Sequence, residues 1–444
     1  MYRKLPLALS LLALRLYSQE KTDPQAVMSQ ILERLDTLEK DNRELVQEVR
    51  TLREELNASR APAPVAALAD RVAVEENRTA EQAQTKVEAA NKFPIQLNGT
   101  LLFNAFVNSA NDGKESASDY GLLAGPNRSG ATVRQTLLGL TFQGPALPGS
   151  GRVNGSLTMD FWAGSADPGS NWLRLRRADV SLDWANRSFT VGQDKPLISP
   201  YQPDSLAEVG VPPLAGSGNL WLWLPQARYE ERLHFGTSSG LTAQVALLQT
   251  EEDYSTLPNA YVGSFDKARP ALEGRLAFWH KFDDSRRIEV APGFHVSTTH
   301  VDGRSVNSHI ASLDWSFTPS SHFEWKGTVY RGQNVAGLGA LGNGFGISRS
   351  GYIKPIESSG GWTQFAVPIT SRLTWNLFGG FETDGAAYLG STSLVHEFTY
   401  ASNIMYHIGP NVVISAEGLQ LRTRSVSGDS EIHNHYDVAL GYLF

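Results

Sequence analysis

The cations in the middle of the chain raise the first question. Arg152, Arg174, Arg176, Arg177, Lys195, Arg228 and Arg232 fall in a stretch that also carries Asp160, Asp179, Tyr201 and Asp204. None of them sits beside an activated nucleophile, so the chemistry on offer is recognition rather than bond making. A guanidinium is planar and always charged, and its fork holds both oxygens of a carboxylate at once. Rings of such side chains at a narrow point select between ions. For any single arginine the bland alternative is a structural ion pair with Asp160, Asp179 or Glu230.

Other chemistries find less support. His433 and His435 could share a strand face as metal ligands, but no carboxylate partner is evident and zinc sites need three or four ligands. Nothing resembles a nucleophile elbow, and no P-loop or Rossmann fingerprint follows a strand. No catalytic residue and no cofactor are therefore expected. With 0 Cys there are no disulfides or thiolate metal sites, and a net charge of -7 without a basic tail argues against nucleic acid as partner.

Short period-two segments must hold these cations. In Gly151–Ala163, Val153, Leu157, Met159 and Phe161 share one face, while Arg152, Asn154, Ser156, Thr158 and Asp160 share the other. Successive strand residues point to opposite sides, so one face is greasy and the other wet. The same texture marks sixteen segments between Ile95 and Phe444. Gaps between them alternate short and long, from Ala185-Asn186 to Asp194–Pro225. An even number of strands with short turns on one side and long loops on the other describes an outer-membrane β-barrel. Its alternation also explains why only 41% of residues are hydrophobic.

Parity assigns the charges. Arg228, Glu230 and Arg232 alternate with Tyr229 and Leu233, and Arg177, Asp179, Ser181 and Asp183 oppose Ala178, Val180 and Leu182. On a regular strand Arg176 then points outward, unless a bulge re-aims it. The longest well-marked gap, 194–225, is rich in Pro, Gly and Ser; loops beyond about 12–15 residues usually have a functional reason. It is expected to fold into the lumen, with Tyr201, Asp204, Glu208 and Asn219 at its narrow point.

The N-terminus reads differently. Residues 1–18 resemble a secretory signal, with Arg3 and Lys4 before the apolar Leu5–Leu14. Within 19–60, Met28, Ile31, Leu35, Leu38, Asn42, Leu45, Val49, Leu52 and Leu56 alternate spacings of three and four, the seam of a coiled coil. Opposite charges at Arg34–Glu39, Glu48–Arg53 and Glu55–Arg60 suit pairing between helices. Ala61-Pro-Ala-Pro64 ends the helix, and 61–94 is a partly helical linker. At the other end Tyr436, Val438, Leu440, Tyr442 and Phe444 form one apolar face, similar to the terminal-strand signal that the barrel-assembly machinery reads.

The runs RRADVSLDW (Arg176–Trp184), FTVGQDK (Phe189–Lys195), PDSLA (Pro203–Ala207) and GSGNLWLWLPQARYEERL (Gly216–Leu233) resemble the DcaP-like trimeric porins, distant relatives of the phosphate-selective porins. The resemblance implies a sixteen-stranded, all-β transmembrane barrel at 95–444, preceded by a periplasmic coiled coil. It also implies a homotrimer in outer-membrane lipid that passes small anionic solutes such as dicarboxylates. The alternative is a structural protein whose barrel anchors a coiled coil tethering the outer membrane to the cell wall.

Overall fold

A computed structural model describes residues 95–109, 127–164, 171–251, 259–265, 268–348 and 350–444, together with Gln47 and Thr51. The chain divides into two compact units, Met1–Glu76 and Asn77–Phe444. In the first, Gln47 and Thr51 are helical, and Thr51 Oγ1 donates to the Gln47 carbonyl at 3.0 Å. The signal at 1–18, the heptad seam from Ile31 to Leu56 and the linker at 61–94 lie outside the described residues.

The second unit is built from strands. In chain order they are β1 (Ile95–Asn108), β2 (Arg128–Thr132), β3 (Leu137–Leu147), β4 (Gly151–Ala163), β5 (Trp172–Asp183), β6 (Arg187–Asp194) and β7 (Leu224–Phe235). There follow β8 (Ser239–Glu251), β9 (Ala268–Lys281), β10 (Arg287–Val301), β11 (Arg304–Ser320) and β12 (Phe323–Gln333). A small hairpin, β13 (Phe345–Ile347) and β14 (Ile353–Pro355), stands apart from the main sheet. The series closes with β15 (Glu357–Pro368), β16 (Leu373–Asp384), β17 (Leu394–His407), β18 (Val412–Ser425) and β19 (Ser430–Leu443).

Neighbours in sequence pair antiparallel, and β1 meets β19 from Thr100↔Leu443 to Asn108↔His435, which closes the sheet on itself. β2 and β3 both lie on β1, at Asn104↔Thr132 and Thr100↔Leu137, so residues 133–136 face 101–103 with one residue to spare. They are one strand carrying a bulge. Counted so, the barrel has the expected sixteen strands.

One rim carries only short turns, such as 184–186 and 321–322, and the other the long connections. The exceptions on the long-loop rim are the four-residue turn 426–429 between β18 and β19 and Asp302-Gly303 between β10 and β11. Asp302 and Gly303 both have positive φ, 51° and 70°, the twist that a two-residue hairpin needs.

Burial is inverted relative to a water-soluble protein. On β1, Leu101, Phe103 and Val107 are exposed, whereas Asn104 and Asn108 are buried. The pattern recurs around the wall, from Val180 and Phe189 to Tyr436 and Leu440. Near the short-turn rim the outer face carries an aromatic girdle, with Trp315 5.4 Å from Trp325 and Trp325 6.2 Å from Phe365. So large an apolar exterior requires hydrocarbon around it.

Residues 195–223, between β6 and β7, run inside the barrel. Ile198, Leu214 and Leu220 are fully buried there. One apolar cluster joins Leu197, Ile198 and Leu220 to Ala246, Leu248, Ala271 and Ile310 of the wall. A second joins Leu214 to Trp362, Phe378, Ala401, Leu419 and Leu421. The connection 334–356 also folds inward, which its length does not predict: Val335, Leu338 and Ala340 belong to the first cluster, and Leu222 N donates to the Leu338 carbonyl at 3.3 Å.

Candidate functional site

Two bulges aim the side chains that receive the inner loop. Between β2 and β3, Thr136 Oγ1 accepts from Leu102 N at 3.0 Å in place of a ladder carbonyl, and the extra residue pushes Val133 outward. Gln135 is thereby buried against the loop. Its amide donates to the Ala207 carbonyl at 2.6 Å, and its oxygen accepts from Val209 N at 2.5 Å and Gly210 N at 2.9 Å.

The second bulge lies on β5. The register runs Thr158↔Arg177 and then Met159↔Leu175, leaving Arg176 as the extra residue. Bulges re-aim side chains in this way. Arg176 is therefore buried within the barrel rather than outward as a regular strand demands, and Arg174, Arg176 and Arg177 all converge inside.

Each of two carboxylates serves two guanidiniums. Asp160 of β4 takes Arg174 through both oxygens, at 3.1 and 2.6 Å, and Arg176 at 3.4 Å. Arg176 also donates to the Val209 carbonyl at 2.8 Å, and Arg174 to that of Gly210. Both guanidiniums lie over the Trp223 ring, at 5.3 and 4.4 Å. Asp194, at the end of β6, takes Arg177 at 2.7 Å and Arg228 of β7 at 3.3 Å. Asp179 lies 3.9 Å from Arg177 and accepts from Ser156 Oγ at 2.5 Å. Arg232 pairs with Glu230 at 2.6 Å, nearer the short-turn rim.

Lys195 opens the loop beside this group. Its backbone N donates to Asp194 Oδ1 at 2.8 Å, and its carbonyl accepts from Gln226 Nε2 at 2.9 Å. Burial pushes its ammonium down to about 7; Asp194 opposes that shift, while Arg176, Arg177 and Lys326 add to it. Arg152 does not join the cluster: it is exposed, opposite Asp183 at the short-turn end of β4.

The far side of the loop is tied down by carboxylates and amides. Leu197 N donates to Glu273 Oε2 at 2.6 Å, and His295 Nδ1 lies 2.9 Å from the other oxygen of Glu273. Tyr201 donates to Glu289 at 3.0 Å; burial and that carboxylate raise the phenol's pKa. Asp204 is held by Lys326 at 2.8 Å and by Gln364 Nε2 at 2.6 Å. Ser205 donates to Glu417 at 2.6 Å, and Ser217 to Glu397 at 2.8 Å. Glu208 and Asn219 are buried, and Asn219 Nδ2 donates to the Pro213 carbonyl at 2.8 Å.

The turn at the loop's far end permits no bulk. Leu214, at φ 63°, is a strained conformation for a branched residue, held by the burial of its side chain. Its carbonyl accepts from Ser217 N at 2.9 Å and Asn219 N at 3.2 Å. Gly218 has φ 95°, and a Cβ on it would overlap Gly361 N and Phe381 O of the wall.

Further charged groups, outside the central cationic stretch, also meet the loop or the wall around it. Arg275 of β9 grips Asp314 at 2.6 Å and Glu289 at 2.7 Å. Lys326 holds Asp204. Arg134 is buried beside Trp162, 4.8 Å from its ring. For Arg275 the signal was available, since Glu273, Arg275 and Ala277 alternate with Leu272, Leu276 and Phe278. For Arg134 and Gln135 it was not, because the bulge breaks the parity.

Exposure differs among the charges of the inner face, where Asp204 exposes 49% of its side chain and Glu289 29%. Arg177 and Arg232 expose 44% and 36% of their side chains. Five of the six acids of β16–β19 are covered: Glu382 and Glu397 are 0% exposed, Asp437 3%, and Asp384 and Glu417 5%, while Glu431 is half-buried.

No protein-family profile matches the chain, and no curated protein matches it by sequence. Solved structures do match in fold. The outer membrane channel DcaP of Acinetobacter baumannii superposes with a TM-score of 0.66 at 16% identity, over 79% of this chain and 97% of that one. An anion-selective porin from Comamonas acidovorans gives 0.55 at 13% identity, over 80% and 100%. At these identities the likeness concerns the fold alone. The chain has the closed sixteen-stranded barrel fold found in outer-membrane channels, in agreement with the DcaP-like resemblance of its central motifs.

Proposed function

We propose that this protein is an outer-membrane porin that passes small hydrophilic solutes by diffusion and prefers anions. One observation carries the sign: beside the inner loop the four guanidiniums of Arg174, Arg176, Arg177 and Arg228 meet three carboxylates, Asp160, Asp179 and Asp194, an excess of positive charge to which Lys195 adds. In a site only partly reached by water such charge attracts anions and repels cations. In this reading residues 195–223 form the constriction, with Arg174, Arg176, Arg177, Lys195, Arg228 and Arg232 on one side and Tyr201 and Asp204 on the other. Dicarboxylates suit it because successive bidentate arginines can hand on a two-headed anion.

Planar-bilayer recording under a salt gradient tests the proposal. Wild-type protein should conduct, with a reversal potential on the anion side of zero. Arg177→Glu with Arg232→Glu should move that potential toward cations. Cation preference in the wild type rejects the sign, and silence rejects the channel.

The heptad segment at 19–60 supports a homotrimer with its coiled coil in the periplasm, and the apolar C-terminal face supports delivery by the barrel-assembly machinery. Crosslinking the intact protein and a deletion of residues 22–60 tests the first point; undiminished trimers in the deletion would exclude the seam as the cause.

A further inference from the structure

On the outer wall, β18 changes character toward the long-loop rim. Its outward residues run Ile414, Ala416, Gly418, Gln420, Arg422 and Arg424, from apolar to basic. Both arginines are exposed, and Arg424 lies opposite His396 of β17. Arg422 donates to Gln420 Oε1 at 2.9 and 2.6 Å and stands 5.9 Å from the Tyr400 ring. Gln420 donates in turn to Asn434 Oδ1 at 2.8 Å, and His396 Nδ1 lies 2.8 Å from Thr383 Oγ1.

No carboxylate meets either guanidinium among the described residues. Glu397 and Glu417 point inward and are buried, and Glu431 lies opposite the inward-facing Thr423. Asp429, in the turn, accepts from Ser427 Oγ at 2.5 Å.

Height decides what can meet these arginines. With about 3.4 Å per residue and a tilt near 40°, Arg422 and Arg424 stand roughly 20–26 Å from Ile414 along the barrel axis. An outward apolar band is about 25 Å tall. The two cations therefore reach the level where hydrocarbon gives way to headgroups, with aromatic side chains below them. A phosphate is the oxyanion that membranes offer at that level, and a guanidinium fork matches it.

We propose that Arg422, Arg424 and His396, with Tyr400 beneath, form a docking site for the phosphate of a phosphorylated lipid headgroup in the leaflet at the long-loop rim. The proposal rests on the membrane-spanning reading of the barrel and is independent of what the lumen conducts.

Native mass spectrometry of the full chain in detergent, titrated with diphosphoryl lipid A, phosphatidylcholine or inorganic phosphate, provides the test. Wild-type protein should retain lipid A over phosphatidylcholine, and the R422Q/R424Q variant should lose that retention by about tenfold or more. Equal retention by variant and wild type overturns the site. Displacement of lipid A by inorganic phosphate at comparable concentration assigns the site to a free anion and overturns the lipid. If the variant does not fold, salt decides on wild type alone: raising it from about 0.05 M to about 1 M should release lipid A, and indifference to salt overturns the proposal. Conductance recorded in parallel separates the two readings, since a protein that binds lipid A but passes no current sinks the channel and leaves this site standing.

Discussion

Under the proposed anion preference, Lys195 is the cation beside the loop whose charge varies near neutral pH. Its neighbours Arg176 and Arg177 are held by Asp160 and Asp194, whereas burial pushes the lysine down to about 7. A lysine is a cation below its pKa and neutral above it, so anion preference should strengthen as pH falls from about 8 to about 6. Lys195→Met should flatten that dependence in reversal-potential measurements; an unchanged pH profile would show that another group is responsible. The linkage has a definite sign as well. The folded value lies below the unfolded one, so the unfolded chain binds the extra proton between about 7 and about 10. Native stability should decline as pH drops through that window and level off beneath it. Arg176 carries a different lesson. Regular alternation puts it outside, and only the unpaired residue in the β4–β5 register turns it inward. Replacing Arg176 with Met should disturb the Val209 carbonyl contact and the position of Asp160 together, which a change in unitary conductance would register.

The inner loop works as an element because the wall accommodates its backbone. Gly218 meets Gly361 and the Phe381 carbonyl at one end, and Gln135 binds Ala207, Val209 and Gly210 at the other. Gly218→Val would force that end off the wall. Its expected outcome is a larger and noisier unitary conductance in a barrel that still resists unfolding by detergent; an unaltered conductance would mean that the loop does not limit flow. Gln135→Ala leaves two loop amides and a carbonyl without their partner, at about 1–3 kcal/mol for each buried group left unsatisfied. The same construction explains what could be read in advance. Strands such as Gly151–Ala163 and Phe323–Gln333 were legible to the residue because each has one wet and one apolar face. The loop was legible by length. Gln135 was not, since a bulge leaves no mark on a period-two pattern. The inward turn of 334–356 was hidden for another reason: its Gly-rich length is visible, but its direction depends on Leu338 and Ala340 finding the cluster around Ile198.

At the scale of the molecule, the wall sorts its residues by medium rather than by depth. Leu101, Phe103 and Val438 face out and Asn104, His435 and Asp437 face in, along a single seam between β1 and β19. Tyr436→Arg, on the outward side of that seam and midway along β19, should cost about 2–4 kcal/mol and reduce the amount of folded barrel recovered in vesicles. Asn108→Ala, on the inward side, should matter less to insertion and more to the buried contact with His435 Nδ1, 2.5 Å away.

That seam also imposes an order in time. Every other pair in the wall is a hairpin or a connection of modest length, but Thr100 and Leu443 find each other across the whole barrel sequence. Joining such distant residues costs about 3 kcal/mol more in chain entropy than closing a turn of ten residues, by the logarithmic dependence on length. Hairpins can therefore zip one after another while the first and last strands remain bare, each an open edge able to recruit a strand from another chain. The risk ends only when the last strand arrives, so assembly is governed by its slowest and most distant contact. A variant that weakens Leu440 or Tyr442 should accumulate as a nearly complete, unsealed sheet rather than as an unfolded chain, and limited proteolysis would find cuts concentrated at β1 and β19.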